Sequence, residues 1–316
     1  MAEPGAAPPD PQSDPPAAPP SRPDAKPDET KPQADKPEEQ EEPNAVSQIL
    51  FAPFSLIGET VMLWVDMILG VMGFLGDLII VIGKTFGFMF RGAIDIPRTL
   101  AQAAFIGVDS LGIVLICVGF TGMTVSNVLM QQVEQYGAGA QFIGAAMLWA
   151  MSKELAPVLA GLILAGRAGA GMASEIGSMK VTEQIDALRA TGVHPIRYLA
   201  VPRVLASLVM TPLVTFCAAV VGIVAGYLSA HYTSIIHLSF NLYFDSVKTA
   251  FRWQMAQALM QKSLVFGIIV AAVAVTEGFN TTGGAEGVGR STTRAVVNAM
   301  ILVFFADLLM TIVFRV

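Results

Sequence analysis

The chain has 316 residues, 53% of them hydrophobic, with a mean hydropathy of +0.60. That balance excludes an ordinary soluble domain of this size and points to an integral membrane protein. The formal charge of −6 is confined to one end, since residues 1–44 hold 11 acids against 4 bases and the remainder is nearly neutral. The acidic pI of about 5.1 therefore describes the tail, and nothing in the charge pattern favours nucleic acid.

Residues 1–44 contain 13 of the 19 prolines and lack the apolar stretch of a secretory signal. They are too acidic for an organellar transit peptide. Such Pro-, Ala- and acid-rich sequence cannot bury enough surface to fold, so a disordered, solvated tether is expected. Residues 45–95 follow as a second region. Their apolar stretch, about 47–83, carries Glu59, Asp66 and Asp77, holds Trp64 and is closed by Lys84. Acids spread along a run are costly at the bilayer centre, which favours an amphipathic helix lying in the interface over a further span.

Residues 96–316 read as the membrane domain. A span needs ~20 predominantly apolar residues, and five stretches meet that: about 103–131, 139–165, 200–230, 257–278 and 296–314. The fold expected is all-α integral membrane: five transmembrane helices preceded by the interfacial helix. With a cytoplasmic N-terminus the inner segments hold Lys84, Arg91, Arg98, Arg167, Lys180, Arg189, Arg197, Arg203, Arg290 and Arg294. The outer segments hold Lys248, Arg252 and Arg315, a positive-inside bias that leaves the C-terminus outside.

Ionisable residues within spans are expensive and so are functional candidates. They are Lys153 and Glu154 in the second span, Lys262 in the fourth and Asp307 in the fifth. Two bases and two acids can pair in a structural network, which lowers the cost of burial, or can line a polar route through the membrane. Pro157, three residues after Glu154, is expected to break the helix, which is tolerated where a cavity is lined. Glu277 reads as solvated near the inner boundary. Cys117 and Cys217 sit in apolar runs and read as core residues, and the scattered His194, His231 and His237 have no metal-ligand spacing.

Between the second and third spans lies GRAGAGMASEIGSMKVTEQIDALRATGVHPIRYLAVPR, residues 166–203. Its small residues Gly166, Gly169, Gly171 and Ala173 suit close helix packing. A short helix follows, with Thr182 as N-cap, Glu183 and Asp186 at its positive end, and Gly192 with Pro195 as its stop. Val181, Ile185 and Leu188 make an apolar stripe at helical spacing. Too short to stand alone in water, this helix must pack on its own domain or in a partner's groove, and spacing leaves both open. Farther on, Gly284–Ser291 imitates a phosphate loop with Arg290 in the lysine position, but it lacks the flanking strand and α/β domain that loop requires.

The run GRAGAGMASEIGSMKVTEQIDALRATGVHPIRYLAVPRVLA resembles the signature region of the MlaE/YrbE permease family. Upstream, the run from Lys153 to Val158 is similar to that family's ELGPV element, with Ala156 in place of glycine. Downstream, Asn280 and the run GVGRSTTRAVV resemble its penultimate loop. The resemblance implies a permease subunit of an ABC transporter moving phospholipid or a similar lipid between the bacterial inner membrane and an MCE-domain protein. Cell-envelope lipid trafficking and outer-membrane lipid asymmetry would be its role. It carries an ATPase-coupling role onto Thr182, Glu183, Gln184, Ile185, Asp186 and Leu188. It favours the reading of Lys153, Glu154, Lys262 and Asp307 as the lipid path. Two permease copies and two copies of a separate ATPase are implied; ATP and Mg would be bound by that ATPase, with no cofactor in this chain. The alternatives are an ion-coupled secondary transporter or a non-transporting membrane scaffold.

Overall fold

In hydrocarbon every backbone N–H and C=O must find its partner within the protein, and apolar runs of this length do so as helices. A computed structural model describes residues 45–92, 94–136, 139, 142–232 and 238–314, so the tail expected to be disordered lies outside the described residues. Residues 1–62 and 63–316 form separate units, and in the first the described part is the opening stretch of helix α1 (Ala45–Phe90). The remaining architecture belongs to the second unit.

After α1, helix α2 (Ile96–Ala103) passes through a π turn at Ala104–Val108 into α3 (Asp109–Tyr136). Helices α4 (Ile143–Ala150), α5 (Ala156–Leu164) and α6 (Ala170–Val181) form one continuous rod, joined by π turns at Met151–Leu155 and Ala165–Gly169. The short α7 (Gln184–Ala190) follows, then a π turn at Ile196–Ala200 leading into α8 (Val201–Tyr232). Helices α9 (Phe240–Ala250), α10 (Trp253–Phe279) and α11 (Gly284–Phe314) complete the chain. No strand occurs among the described residues.

Among the described residues six helical segments are long and apolar enough to cross a membrane, one more than the five expected. The additional one is Ile68–Phe90 in α1, where an interfacial helix was expected. Length and composition alone would let it cross. Its contacts start at the α7 end, where Asn280 donates to Asp77 at 2.9 Å and the Phe88 ring lies 4.8 Å from that of His194, and run on along α11: Leu78 is buried in the main core with Ile106 and Leu164, and Gly70, Phe74 and Leu75 share a cavity with Ile301 and Phe305. Val81 is buried in a small core with Ile176, Ile185, Leu199 and Val275, all near the α7 end.

Three expectations are corrected. Pro157 does not break its helix; the missing N–H is absorbed in the π turn just before it, and the rod continues. The helix of the second expected span does not end near residue 165 but runs on to Val181, because small residues let it pack against α10 and α11. Cys117 and Cys217 are exposed on α3 and α8 rather than in the core, which an apolar thiol tolerates in lipid.

Close backbone approach sets the packing. A Cβ on Gly122 of α3 would lie 2.2 Å from the carbonyl oxygen of Gly222 on α8. One turn on, Ser126 donates to the Gly226 carbonyl at 2.7 Å. Gly122→Val is therefore expected to force the two helices apart, at a cost of about 1–3 kcal/mol, read as a lower melting temperature in detergent and reduced monodisperse yield. At the other end from α7, α9 is pinned to the bundle. Ser246 Oγ accepts from the Ala145 N–H at 2.9 Å, and Tyr243 donates to the Ile223 carbonyl at 3.0 Å while burial pushes its phenol well above the ordinary range.

Candidate functional site

Two groups of residues stand out, one just beyond the Val181 end of the rod Ile143–Val181 and one about a third of the way along it from Ile143. The first is α7 with its flanking turns. Ile185 is fully buried and Leu188 half-buried, both against the protein's own core, so the apolar stripe anchors the helix. Thr182, Glu183, Gln184, Asp186, Ala187, Arg189 and Ala190 are exposed. The six residues assigned to coupling thus divide: four face outward, while Ile185 and Leu188 hold the helix in place.

The cap also differs from expectation. Thr182 closes α6, its hydroxyl donating to the Ser178 carbonyl at 2.8 Å, and so it cannot cap α7. Glu183 takes that position with φ 60° and ψ 9°, a left-handed conformation rare for a residue with a Cβ. Its carbonyl accepts from Asp186 and Ala187, which starts the new helix at an angle to the old one. Gly192 at φ +78° ends it, and Val193 bonds back to the Leu188 carbonyl at 3.0 Å, as the Gly–Pro stop required. Asp186 accepts from Arg189 at 2.8 Å and faces Lys180 at 3.5 Å. Behind the loop, buried Arg203 on α8 pairs with Glu175 on α6 at 2.7 Å and donates to the Leu199 carbonyl, tying the two rods that flank it.

The second group is the intramembrane charge cluster. Lys262 on α10 is buried, with its ammonium 2.9 Å from Glu154 Oε1 and 2.8 Å from Asp307 Oδ1. Thr311, one turn beyond Asp307, accepts from Lys262 at 2.9 Å and donates to Glu154 at 3.1 Å. Three of the four expected residues therefore converge, and Thr311 completes the network; its spacing of four from Asp307 was a readable signal. Lys153 does not join. Successive side chains on a helical turn point in different directions, in the π turn Met151–Leu155 as elsewhere, so with Glu154 facing α10 the Lys153 side chain turns away and lies 5.5 Å from the Trp149 ring. Among the described residues it pairs with no carboxylate.

Two further clusters escaped the sequence reading. Arg167, in the π turn Ala165–Gly169, donates to the Phe105 carbonyl and to Ser110 Oγ and lies 3.5 Å from Asp109, so it clamps a second π turn at Ala104–Val108. Glu277 is 5% exposed rather than solvated, because Asn298 donates to it at 2.7 Å and Arg294 stands at 3.7 Å. The imitation phosphate loop, Gly284–Ser291, is the opening of helix α11. Among the described residues no group of His, Cys, Asp or Glu could hold a metal ion.

Residues 99–313 match the family model described as Permease MlaE. A probable ABC transporter permease protein of Synechocystis sp. is 38% identical over 71% of this chain and 84% of its own length. Protein TRIGALACTOSYLDIACYLGLYCEROL 1, chloroplastic, of Arabidopsis thaliana is 35% identical over 85% of this chain and 74% of its own. A probable ABC transporter permease protein of Rickettsia typhi is 36% identical over 67% of this chain and 81% of its own.

Proposed function

The chain belongs to the MlaE permease family, and from that premise we propose that it is the membrane half of an ABC transporter that moves phospholipid. Two copies of the permease would pair with two copies of a separate ATPase, where ATP and Mg are bound and hydrolysed. An MCE-domain protein on the outer side would exchange the lipid. The observation that carries this reading is the split of α7: its apolar residues are spent on its own domain, and its polar face, led by Glu183 and Gln184, stands free at the end of a rod. An exposed helix held rigidly from behind is what a docking partner needs in order to move the membrane domain.

The rod supplies the transmission. Glu154 of the charge cluster precedes Val181 by 27 residues, about 40 Å of helix at 1.5 Å per residue. A push on α7 would be delivered to α6 and along the same rod to Glu154. The cluster offers two polar faces to a lipid: the partly exposed Glu154 carboxylate and, one residue away, the unpaired Lys153 ammonium, a point charge suited to a phosphate. The name of the Arabidopsis relative denotes a glycerolipid, which supports lipid as the cargo class.

Charge supports the orientation. The α7 end carries Lys84, Arg98, Lys180, Arg189, Arg197 and Arg290, while the α9 end carries Lys248 and Arg252. The positive-inside rule then puts α7 in the cytoplasm of a bacterium, with α9 and the C-terminus outside the inner membrane. We take α1 as an interfacial element rather than a sixth crossing because Asp77 and Lys84 lie within its apolar stretch Ile68–Phe90; five spans then follow and the N-terminus is cytoplasmic.

An ion-coupled carrier is disfavoured because Lys262 is fully engaged by Glu154, Asp307 and Thr311. The deciding experiment is affinity purification of the tagged chain in mild detergent, with protein and lipid mass spectrometry on one eluate. A stoichiometric ATP-binding subunit recovered with phospholipid is expected. Recovery of the chain alone, active in proteoliposomes without ATP, would overturn the reading.

A further inference from the structure

Between α1 and the segment that follows α7 lie two contiguous cavities of about 570 and 710 Å³, which share Gly192, Val193 and His194. Each is large enough for a ligand-sized group. Their walls have two characters. Ile80 and Phe279 line the first and Ile94 and Ile96 the second, with Ile80, Ile94 and Ile96 at 52%, 42% and 65% exposure. Set among these apolar walls are the cations Lys84, Arg189, Arg98 and Arg197.

The charges do not cancel. Arg189 is held by Asp186 and Arg98 by Asp95, and Arg98 also stacks over Tyr198 at 3.6 Å. The remaining carboxylate of the lining, Asp77, accepts from Asn280, keeps its charge and makes no ion pair with Lys84. Lys84 and Arg197 have no carboxylate within ion-pair distance among the described residues, and with four cations against Asp77, Asp95 and Asp186 the double groove keeps a net positive charge beside apolar surface. A soluble anion would satisfy the cations and leave the isoleucines bare. An amphiphile with an anionic head satisfies both.

We infer that this double groove binds an anionic phospholipid of the leaflet on the α7 side, with its phosphate between Lys84 and Arg197 and its chains along Ile80, Ile94 and Ile96. Basic pockets between helices at the cytoplasmic surface recognise headgroups of this kind. The position gives the lipid a regulatory role distinct from that of the cargo. His194 forms the shared wall and touches Phe88 of α1, and Arg189 belongs to α7 itself. A bound lipid would therefore bridge α1 to the α7 loop and stiffen the surface offered to the ATPase. The assignment of the leaflet as cytoplasmic rests on the orientation proposed above; the chemistry of the groove does not.

The test uses the purified full chain in nanodiscs of phosphatidylcholine with one-third phosphatidylglycerol, with retained lipid counted by native mass spectrometry after release. Wild type is expected to retain phosphatidylglycerol selectively. Lys84→Ala with Arg197→Ala should lower that retention about twenty-five-fold, taking about fivefold for each cation, and Lys84→Arg should preserve it. Lys248→Ala with Arg252→Ala, at the α9 end, should leave it unchanged and controls for general surface charge. Equal retention by the Lys84/Arg197 variant, with an unaltered melting temperature in phosphatidylcholine, overturns the site. Displacement of phosphatidylglycerol by millimolar inorganic phosphate overturns the lipid and leaves a soluble-anion site. Ala190→Cys, in a background lacking Cys117 and Cys217, reports the side separately. Labelling from outside the cell would refute the cytoplasmic orientation while leaving the binding result standing.

Discussion

Replacing Lys262 with alanine is expected to abolish lipid transfer and to destabilise the permease by about 3–5 kcal/mol, because it leaves two carboxylates facing each other without their shared cation. Lys262 is 4% exposed and sits within 3 Å of Glu154 and Asp307, so water cannot replace it cheaply. A drop in melting temperature, measured by the fluorescence of detergent-solubilised protein, checks the stability part. The functional part needs a variant that folds. Lys262→Met with Glu154→Gln and Asp307→Asn removes all three charges, keeps the volume and is expected to recover most of the stability. If transfer stays absent in this stable triple variant, the charges serve the lipid route. If transfer returns, the cluster is a structural clamp and the lipid path lies elsewhere. Lys153→Ala separates the remaining charge: its ammonium touches Trp149 and no carboxylate, so stability should hold while transfer of anionic lipid falls.

The second large effect is expected at α7. Glu183→Lys with Asp186→Lys should leave the fold intact and reduce lipid-stimulated ATP hydrolysis at least tenfold, which corresponds to about 1.4 kcal/mol of lost coupling. Both side chains are exposed and neither is packed in the core, so the permease should still purify as a folded species. Glu183 needs a finer comparison because its backbone is left-handed, a conformation that costs about 1–3 kcal/mol. Asn tolerates that conformation, so Glu183→Asn keeps the turn and removes only the carboxylate. Coupling lost in Glu183→Asn assigns the effect to the charge. Coupling retained there but lost on Glu183→Val, which resists positive φ, assigns it to the turn that aims α7. Full stimulation in the double-lysine variant would remove α7 from the docking surface.

The elements that carry most of this reading were legible for a simple reason. A lipid bilayer demands long apolar helices, and each of the five expected spans falls largely within one of the observed helical segments, the second starting a few residues later than expected, at Ile143. Their ends were not legible, since a helix inside a bundle continues through polar turns once tertiary packing supports it. The rod that ends at Val181 and α11 that begins at Gly284 both run well past their apolar cores. The short helix was visible through its Gly192–Pro195 stop and its apolar spacing. Its start was missed because Thr182 has two backbone partners within reach and takes the carbonyl of Ser178 behind it.

By itself, then, the sequence determined the membrane class, the family, the existence of α7 and the candidates for intramembrane charge, because these depend on composition, local spacing and residue type. Only the tertiary structure decided which charges meet. Glu154 reaches Lys262 across a helix interface, while Lys153 is turned away by the pitch of the same helix. It also decided that Ile185 faces inward, that Glu277 is buried against Asn298, and that Lys84 and Arg197 border one continuous groove. Each of these depends on the rotation of one helix against another, and that rotation is set by backbone contacts such as Gly122 on Gly222, which no local pattern records.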